Sequence, residues 1–210
     1  MYTILKKEVL NPTVTRMVID APFVAKRAKA GQFIILRVNE EGERIPLTIA
    51  DSDSEKGTVS IIFQIVGKTT MLLNTLEEGD SLHDFVGPLG KPSEIDGNEK
   101  VCIIGGGVGC AIAYPTAKAF HEAGSDVTTI VGFRNKDLVI LEDEFKECSD
   151  AYYLMSDDGS VGQKGVVTLK LEELIQSGEK FDKVIAIGPI IMMKFVCELT
   201  KKYNIPTVVS

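Results

Sequence analysis

The sequence lacks the features that would indicate a membrane-bound, secreted or nucleic-acid-binding protein. Its longest apolar stretches, such as Val101 to Ile104 and Ile187 to Met193, fall far short of the roughly 20 residues of a membrane helix, so we expect no membrane partner. The N-terminus shows no basic start, long apolar centre and cleavage site, so we expect a cytoplasmic protein. A formal net charge of -7 and a pI near 5.0 argue against nucleic acid as the main partner.

Closely spaced cysteines are also absent. The four cysteines are Cys102, Cys110, Cys148 and Cys197, and even the first two lie eight residues apart. Metal and cluster ligands usually stand two to four residues apart. We therefore predict reduced thiols, mostly in the core, and no metal site.

The first part of the chain shows short apolar or alternating runs separated by turn-forming residues. This rhythm predicts an antiparallel sheet or barrel over residues 1–95. The predicted strands are Ile4 to Leu10, Val14 to Asp20, Gln32 to Val38, Ile45 to Ala50 and Thr58 to Val66. The sole predicted helix there is Thr70 to Glu78.

After Gly87 to Pro92 the pattern changes to buried-type strands separated by helical segments. This alternation predicts a doubly wound parallel sheet over residues 96–210. The predicted strands are Val101 to Ile104, Val127 to Val131, Tyr152 to Met155, Val184 to Ile187 and Thr207 to Val209, and the helices are Ala111 to Ala123, Leu141 to Glu147, Val167 to Ser177 and Ile190 to Tyr203.

A glycine-rich loop follows the first strand of this second domain. It consists of Gly105, Gly106, Gly107, Val108 and Gly109, and a helix begins just after it. Glycines let a backbone approach a pyrophosphate, whose charge a helix N-terminus favours. Cys110 stands where the dehydrogenase fingerprint has its third glycine, and no acid ends the second strand, so an ordinary Rossmann dehydrogenase is disfavoured. The alternative is that the glycines serve only tight packing.

Two further loops are expected at the same edge of the sheet. One contains Gly188 and Pro189 and leads into a helix that carries Met192, and the other contains Asp157 and Asp158. The two acids are candidates for binding ribose hydroxyls, and a plain turn is the equal alternative. Arg134, after the second strand, is a candidate for a 2′-phosphate, which the acids would repel. NAD and NADP both stay open on these residues.

The first domain has two segments suited to a second pyrophosphate. Arg44 precedes a strand that continues through Pro46 and Leu47 to Thr48, and Gly67 opens a helix whose first turn contains Thr69 and Thr70. A cation and a helix start rich in donors would suit an anion. A surface arginine and an N-capped helix are the alternative.

Taken in order, these pieces resemble the ferredoxin–NADP reductase superfamily over nearly the whole chain. The phrases Ile45 to Asp51, Gly87 to Gly90 and Ser156 to Ser160 are similar to its branch of electron-transfer subunits. The resemblance implies an FAD-binding barrel followed by an NAD(P)-binding domain, with Thr48, Ile62, Phe63 and Gln64 at the flavin. Arg44 stands one residue away from the position of the family's arginine.

The resemblance also implies cofactors and partners. We expect FAD, and NAD rather than NADP, with electrons leaving toward a larger flavin and iron–sulfur subunit in a hetero-oligomer, as in the small subunit of an electron-bifurcating ferredoxin:NADP oxidoreductase. His83 and His121 are not needed as bases. Relatives bind a [2Fe–2S] cluster through a C-terminal cysteine segment that this sequence lacks, so we expect a truncated form or a reductase without the cluster.

Three functions remain possible from the sequence. The first is the electron-transfer subunit just described, either of a ferredoxin:NADP oxidoreductase or of dihydroorotate dehydrogenase. The second is a self-sufficient NAD(P)H:acceptor flavin reductase. The third is a nucleotide-binding regulatory module whose barrel binds no flavin.

Overall fold

The computed structural model describes residues 2–210, which form two compact units that divide between Ser93 and Glu94. The predicted division lay two residues further on, between residues 95 and 96. The backbone N–H of Ser93 donates to the carbonyl of Ala30, which ties this last residue to the first unit. No helix within residues 2–210 is both long and apolar enough to cross a bilayer.

The first unit is a seven-stranded antiparallel sheet with two short helices. Its elements are β1 (Tyr2–Asn11), β2 (Val14–Asp20), α1 (Pro22–Ala25), β3 (Phe33–Arg37), β4 (Ile45–Asp53), β5 (Thr58–Gln64), α2 (Lys68–Asn74), β6 (Ser81–Leu82) and β7 (Asp84–Leu89). The strand order is β6-β1-β2-β5-β4-β3-β7. The two edge strands, β6 and β7, are separated in the chain by His83 alone, so the sheet curls into a nearly closed barrel. The predicted antiparallel barrel is confirmed.

Alternate residues of the strands fill the barrel. On β4 and β5, alternate residues contribute to the apolar core of the first unit, namely Ile45, Leu47, Ile49, Val59, Ile61 and Phe63. The residues that alternate with them, such as Thr48 and Gln64, lie on the opposite face of these strands. Ile49 lies opposite Ile61, which brings these two inward faces into register. The outer face of β4 and β5 is therefore left for other contacts.

The second unit is a six-stranded parallel sheet covered by helices. Its elements are β8 (Lys100–Gly106), α3 (Cys110–Glu122), β9 (Asp126–Phe133), α4 (Glu142–Glu147), β10 (Ala151–Ser156), β11 (Gln163–Lys164), α5 (Val167–Gln176), β12 (Lys183–Ile187), α6 (Ile190–Lys202) and β13 (Thr207–Val209). The strand order is β11-β10-β9-β8-β12-β13, with every neighbouring pair parallel. The predicted doubly wound sheet is confirmed.

Several elements of the structure differ from the sequence prediction. The prediction of a single helix in the first domain is wrong, because Pro22 starts the four-residue α1, and β6, β7 and β11 were not expected. Helix α2 starts earlier and ends at Asn74 rather than Glu78. It ends there because the chain turns again at once: the backbone N–H of Glu77 donates to the Asp80 carboxylate, and Gly79 has a φ of +94°.

Candidate functional site

The chain reverses direction across the parallel sheet between β8 and β12. From β8 the connections lead to β9 and β10 on one side, and β12 then returns to pair with β8 on the other side before β13 follows. Ligands of open parallel sheets bind beyond the carboxyl ends of the strands at such a switch point. The loops after β8 and β12 meet there.

Two glycines, Gly105 near the end of β8 and Gly109 in the loop after it, are explained by close packing. A Cβ atom on Gly105 would lie 2.8 Å from the Cys110 sulfur, and one on Gly109 would lie 2.7 Å from the Gly188 Cα. Both contacts are shorter than side chains tolerate. At these two positions the structure supports the packing interpretation of the glycines.

A third glycine, Gly106, packs against the start of α6. A Cβ atom there would lie 2.5 Å from the Met192 sulfur and 3.0 Å from the Pro189 Cδ. The loop after β8 is thus held against both the turn after β12 and the first turn of the following helix.

Gly107 differs from these three glycines. Its φ is +55°, a conformation that favours glycine, and a Cβ atom there would meet nothing within 4 Å. Packing therefore does not explain this residue. It lies in the short 3-10 turn Gly107–Gly109 that leads into α3, so the backbone at Gly107 is open to an approaching group beside a helix N-terminus.

Cys110, in the place of the fingerprint's third glycine, points inward. It is fully buried, its sulfur fills the space left by Gly105, and burial raises the pKa of its thiol. The thiol is therefore a packing group rather than a nucleophile.

The loops after β9 and β10 are joined by backbone hydrogen bonds. The N–H groups of Asp157 and Asp158 donate to the carbonyls of Phe133 and Arg134, at 3.1 and 3.3 Å. This pairing brings both acids to the end of the second strand of the sheet, where the sequence itself has no acid.

The two acids have different surroundings. The carboxylate of Asp158 accepts from the Ser160 backbone N–H at 2.9 Å, and hydrogen bonds from Ser160 lower the pKa of Asp158. For Asp158 the structure therefore shows the plain turn. Within residues 2–210 the exposed Asp157 carboxylate has no hydrogen bond or ion pair, and the Arg134 guanidinium beside this loop is also exposed.

In the first unit, four of the predicted residues share the outer face of β4 and β5. They are Pro46, Thr48, Ile62 and Gln64, and their even positions place them opposite the core-facing residues. Among residues 2–210 the side chains of Thr48 and Gln64 have no hydrogen-bond partner. We call these four residues the outer strip.

Two other predicted flavin residues face the opposite way. Phe63 is 1% exposed within the barrel core, and Leu47 packs against the same core. Because both side chains pack toward the barrel core, the expectation that these two residues line the flavin site stays a prediction that concerns their backbone. Phe33, which no sequence motif singled out, lies opposite Thr48 on the neighbouring strand and is partly exposed.

Arg44 lies away from Thr48 and makes an ion pair. Its Nη2 donates to Asp84 Oδ2 at 3.0 Å, and its side chain is 60% exposed. The Arg37 Nε lies 2.8 Å from the same oxygen, and the His83 Nδ1 lies 2.9 Å from Oδ1. The hydrogen bond from His83, followed by Arg37 and Arg44, lowers the pKa of Asp84. The surface-arginine interpretation therefore describes Arg44 here.

The start of α2 is capped from within. The Thr70 hydroxyl accepts from the backbone N–H of Gly67 and donates to the Gly67 carbonyl, each at 3.0 Å. A hydroxyl has one proton, so Thr70 has none left for a phosphate. The Thr69 hydroxyl donates to the Glu43 carboxylate at 3.4 Å. The N-capped-helix interpretation describes Thr70.

The cysteines are free thiols within residues 2–210, and these residues contain no group of three or more His, Cys, Asp and Glu that could hold a metal ion. Burial raises the pKa of the Cys148 thiol to about 11. Cys102 is fully buried in the core of the second unit.

Comparison with known proteins assigns the first unit. Residues 2–93 match the family model of the oxidoreductase FAD-binding domain. The match covers β1 to β7 and includes the outer strip.

Relatives cover the whole chain. It is 48% identical to the Thermotoga maritima homolog of the dihydroorotate dehydrogenase B (NAD(+)) electron transfer subunit, over 99% of this chain and 73% of that protein. It is 34% identical to the Streptococcus pneumoniae R6 electron transfer subunit of the same enzyme, over 92% of this chain and 75% of that protein.

A solved structure agrees with these relatives. That structure, of NADH-dependent reduced ferredoxin–NADP oxidoreductase, matches with a TM-score of 0.91 and 47% identity, over 100% of this chain and 75% of that one. The chain therefore belongs to the FAD-binding electron-transfer subunits of the ferredoxin–NADP reductase superfamily, and it is a flavoprotein oxidoreductase subunit.

Proposed function

We propose that this subunit passes electrons between NADH and an iron–sulfur partner by way of FAD, as the small subunit of a ferredoxin:NADP oxidoreductase of the electron-bifurcating type. The observation that carries the nucleotide half is Gly107, an open glycine at the switch point of the parallel sheet. The match of residues 2–93 to an FAD-binding domain supports the flavin half.

The outer strip has the chemistry that a flavin ring requires. Ile62 contributes an apolar side chain that is 7% exposed, while Thr48 and Gln64 offer a hydroxyl and an amide that form no hydrogen bond within residues 2–210. Phe33 adds an aromatic ring on the same face. When bound, FAD supplies the ability to take up a hydride and to release electrons singly. The chain's own residues bind and orient it there.

The start of α2 has few unpaired groups for the phosphates of FAD. Gly67 and Thr69 are the remaining candidates at the start of α2, because the Thr70 hydroxyl is used in the cap. The Thr69 hydroxyl donates to Glu43, and Arg44 is paired with Asp84. A phosphate that bound Thr69 or Arg44 would have to displace these carboxylates. The flavin half of the proposal therefore rests on the outer strip.

The second unit contributes the nicotinamide-nucleotide site. The backbone at Gly107 and the N-terminus of the 13-residue α3 favour a pyrophosphate. Gly105 and Gly106 at the end of β8, and Val108 and Gly109 in the turn after it, complete this segment. Gly188, Pro189 and Met192 border the same position from the other side of the switch point.

Asp157 favours NAD over NADP. Its carboxylate has no partner within residues 2–210, and the backbone pairing of the loops brings it to the end of β9, where ribose hydroxyls are bound in related sheets. A 2′-phosphate there would meet this carboxylate and that of Asp158, against the single exposed cation Arg134. The repulsion disfavours NADP.

A larger flavin and iron–sulfur subunit is the proposed partner, in a hetero-oligomer. The solved relative is described for flavin-based electron bifurcation, which supports this assignment. The relatives in dihydroorotate dehydrogenase B favour a second candidate, the electron-transfer subunit of that enzyme. A [2Fe–2S] cluster would need ligands other than the four separated cysteines described above.

Anaerobic spectroscopy tests the proposal. We expect the purified protein to bind FAD, and NADH to bleach the flavin absorbance much faster than NADPH does. Failure to take up FAD after reconstitution would refute the flavin assignment. Flavin that is bound but is reduced by neither nucleotide would refute the nucleotide assignment. Reduction of ferredoxin or of dihydroorotate dehydrogenase in the presence of the matching partner subunit then separates the two candidates.

A further inference from the structure

The side chain of Met192 contacts the end of β8 and the loop after β12 at the switch point. A Cβ atom on Gly106 would lie 2.5 Å from the Met192 sulfur. A Cβ atom on Gly188 would lie 2.9 Å from the Met192 methyl carbon. One flexible side chain therefore occupies the space that both glycines leave. Among the atoms nearest to the glycines of residues 2–210, no other side chain lies beside both Gly106 and Gly188.

The backbones of the two loops also approach each other closely. A Cβ atom on Gly188 would lie 3.1 Å from the Gly106 Cα, and one on Gly109 would lie 2.7 Å from the Gly188 Cα. β8 and β12 are paired as far as Gly105 and Ile187, and just beyond this pair the two backbones touch at Gly106 and Gly188. Met192 is the side chain that fills the gap beside this contact.

We propose that Met192 is a positioning residue that supports the end of β8 and the loop after β12, beside the open backbone of Gly107. It need not touch the nucleotide. By filling the gap at Gly106 and Gly188, it holds the backbone at Gly107 where a pyrophosphate approaches. The inference rests on the proposed nucleotide site, and it adds a role for an apolar side chain to a site otherwise built from backbone.

The chemistry of methionine suits this role. Its unbranched thioether reaches into irregular gaps that a branched side chain would not fill. A shorter side chain would leave a void, and the loops would close or shift into it. If this shift costs the pyrophosphate about 1.4 kcal/mol of its contacts, the affinity falls about tenfold.

Met193 provides a matched control. It is the next residue of α6, it is partly buried as Met192 is, and both pack against the same core of the second unit. Met193 is not among the atoms nearest to any of the glycines. Truncation of either methionine removes the same atoms from the same core, but only one truncation opens the gap beside Gly106 and Gly188.

The first experiment compares Met192→Ala with Met193→Ala in the FAD-loaded protein. Titration calorimetry with NAD+ measures binding without turnover, and thermal unfolding measures the loss of packing. We expect both variants to unfold at lower temperature, while only Met192→Ala weakens NAD+ binding, by about tenfold. FAD content should stay unchanged in both. Met192→Leu keeps most of the volume and should recover most of the affinity.

Kinetics separate positioning from general damage. In stopped-flow reduction by NADH, Met192→Ala should raise the half-saturating NADH concentration by about tenfold and change the saturating rate by less than about twofold. A merely structural role would lower stability without this separation. Equal NAD+ affinity in the two alanine variants would overturn the proposal.

A double-mutant cycle of Gly106 and Met192 tests the proposal even if one single variant folds poorly. Gly106→Ala alone introduces a methyl group that meets the Met192 sulfur. In Gly106→Ala combined with Met192→Ala, that methyl group enters the gap left by the shortened side chain. We expect the combined loss of NAD+ affinity to be smaller than the product of the two single losses. Strictly multiplicative losses would show that the residues are not coupled and would overturn the proposal.

The proposed function fails independently of this inference. If NADH does not reduce the flavin of the unaltered protein, the nucleotide site itself is wrong. If the unaltered protein is reduced and Met192→Ala binds NAD+ as tightly as Met193→Ala does, only the positioning role is wrong.

Discussion

Replacement of Gly107 by valine separates nucleotide binding from folding. Gly107 has a φ of +55° and no atom within 4 Å of its missing side chain, so a valine there would strain the backbone without a steric clash. A residue held in this region costs about 1–3 kcal/mol. The same side chain would stand in the open space from which we expect the pyrophosphate to approach, and an obstructed pyrophosphate should lose at least about 1.4 kcal/mol, a factor of ten in affinity.

Gly124 is the matched control for the strain. It also has a positive φ, of +86°, and no atom within 4 Å, but it follows α3 at the opposite edge of the sheet. Gly124→Val should therefore lose a similar amount of stability and keep its affinity for the nucleotide. Chemical denaturation measures the first quantity, and calorimetric titration with NAD+ measures the second.

The flavin content of both variants should equal that of the unaltered protein, because the outer strip lies in the other unit. The reasoning would be refuted if Gly107→Val bound NAD+ as tightly as the unaltered protein did. It would also be refuted if Gly124→Val lost the same affinity, because the effect would then come from strain and not from an obstructed ligand.

Three further predictions follow from named contacts. Replacing Thr48 by Val and Gln64 by Leu removes two free hydrogen-bonding groups and should weaken FAD binding at least about tenfold in a flavin fluorescence titration; unchanged affinity would exclude the outer strip. Asp157→Asn should narrow the preference for NADH over NADPH about tenfold, whereas Asp158→Asn, whose carboxylate is held in its own turn, should change it less; equal shifts would count against Asp157. Because the pKa of Asp84 is lowered from 3.8, its contribution to stability is present above that pH and is lost as the pH falls through the lowered pKa. Asp84→Asn should flatten this acid-range decline in urea midpoints measured near about pH 5 and about pH 3, and parallel declines would contradict it.

The alternation of strands and helices in the second unit could be predicted from the sequence, and so could the positions of the glycine-containing segments after β8 and β12. Buried parallel strands are continuous apolar runs, and the glycines after β8 and β12 mark their carboxyl ends. The two-residue strands β6 and β11 and the four-residue α1 could not be predicted, because segments of two or four residues show no periodic pattern. Their pairing depends on distant partners, such as Tyr2 opposite Leu82.

The flavin residues show a different limit. The resemblance suggested runs of consecutive residues, but successive residues of a strand point to opposite faces. Phe63 and Leu47 consequently face the core, while Ile62 and Thr48 face outward. The period of two was present in the sequence. The sequence did not show which face of these strands would point away from the core, because that depends on how the whole barrel closes.

The departure from the dinucleotide fingerprint has a physical explanation in the structure. In that fingerprint the third glycine permits close packing of the helix against the strand. Here Cys110 occupies that place, and its sulfur packs into the space that Gly105 leaves on the strand. The close approach that the missing glycine would have allowed is made one residue earlier, where Gly109 packs against Gly188. The close packing that the motif requires is therefore made at Gly105, Gly106 and Gly109. Of the four glycines from Gly105 to Gly109, Gly107 is the one without a neighbour near its missing side chain. What nucleotide binding requires is that open backbone at a helix start, and a different set of glycines can secure the packing around it.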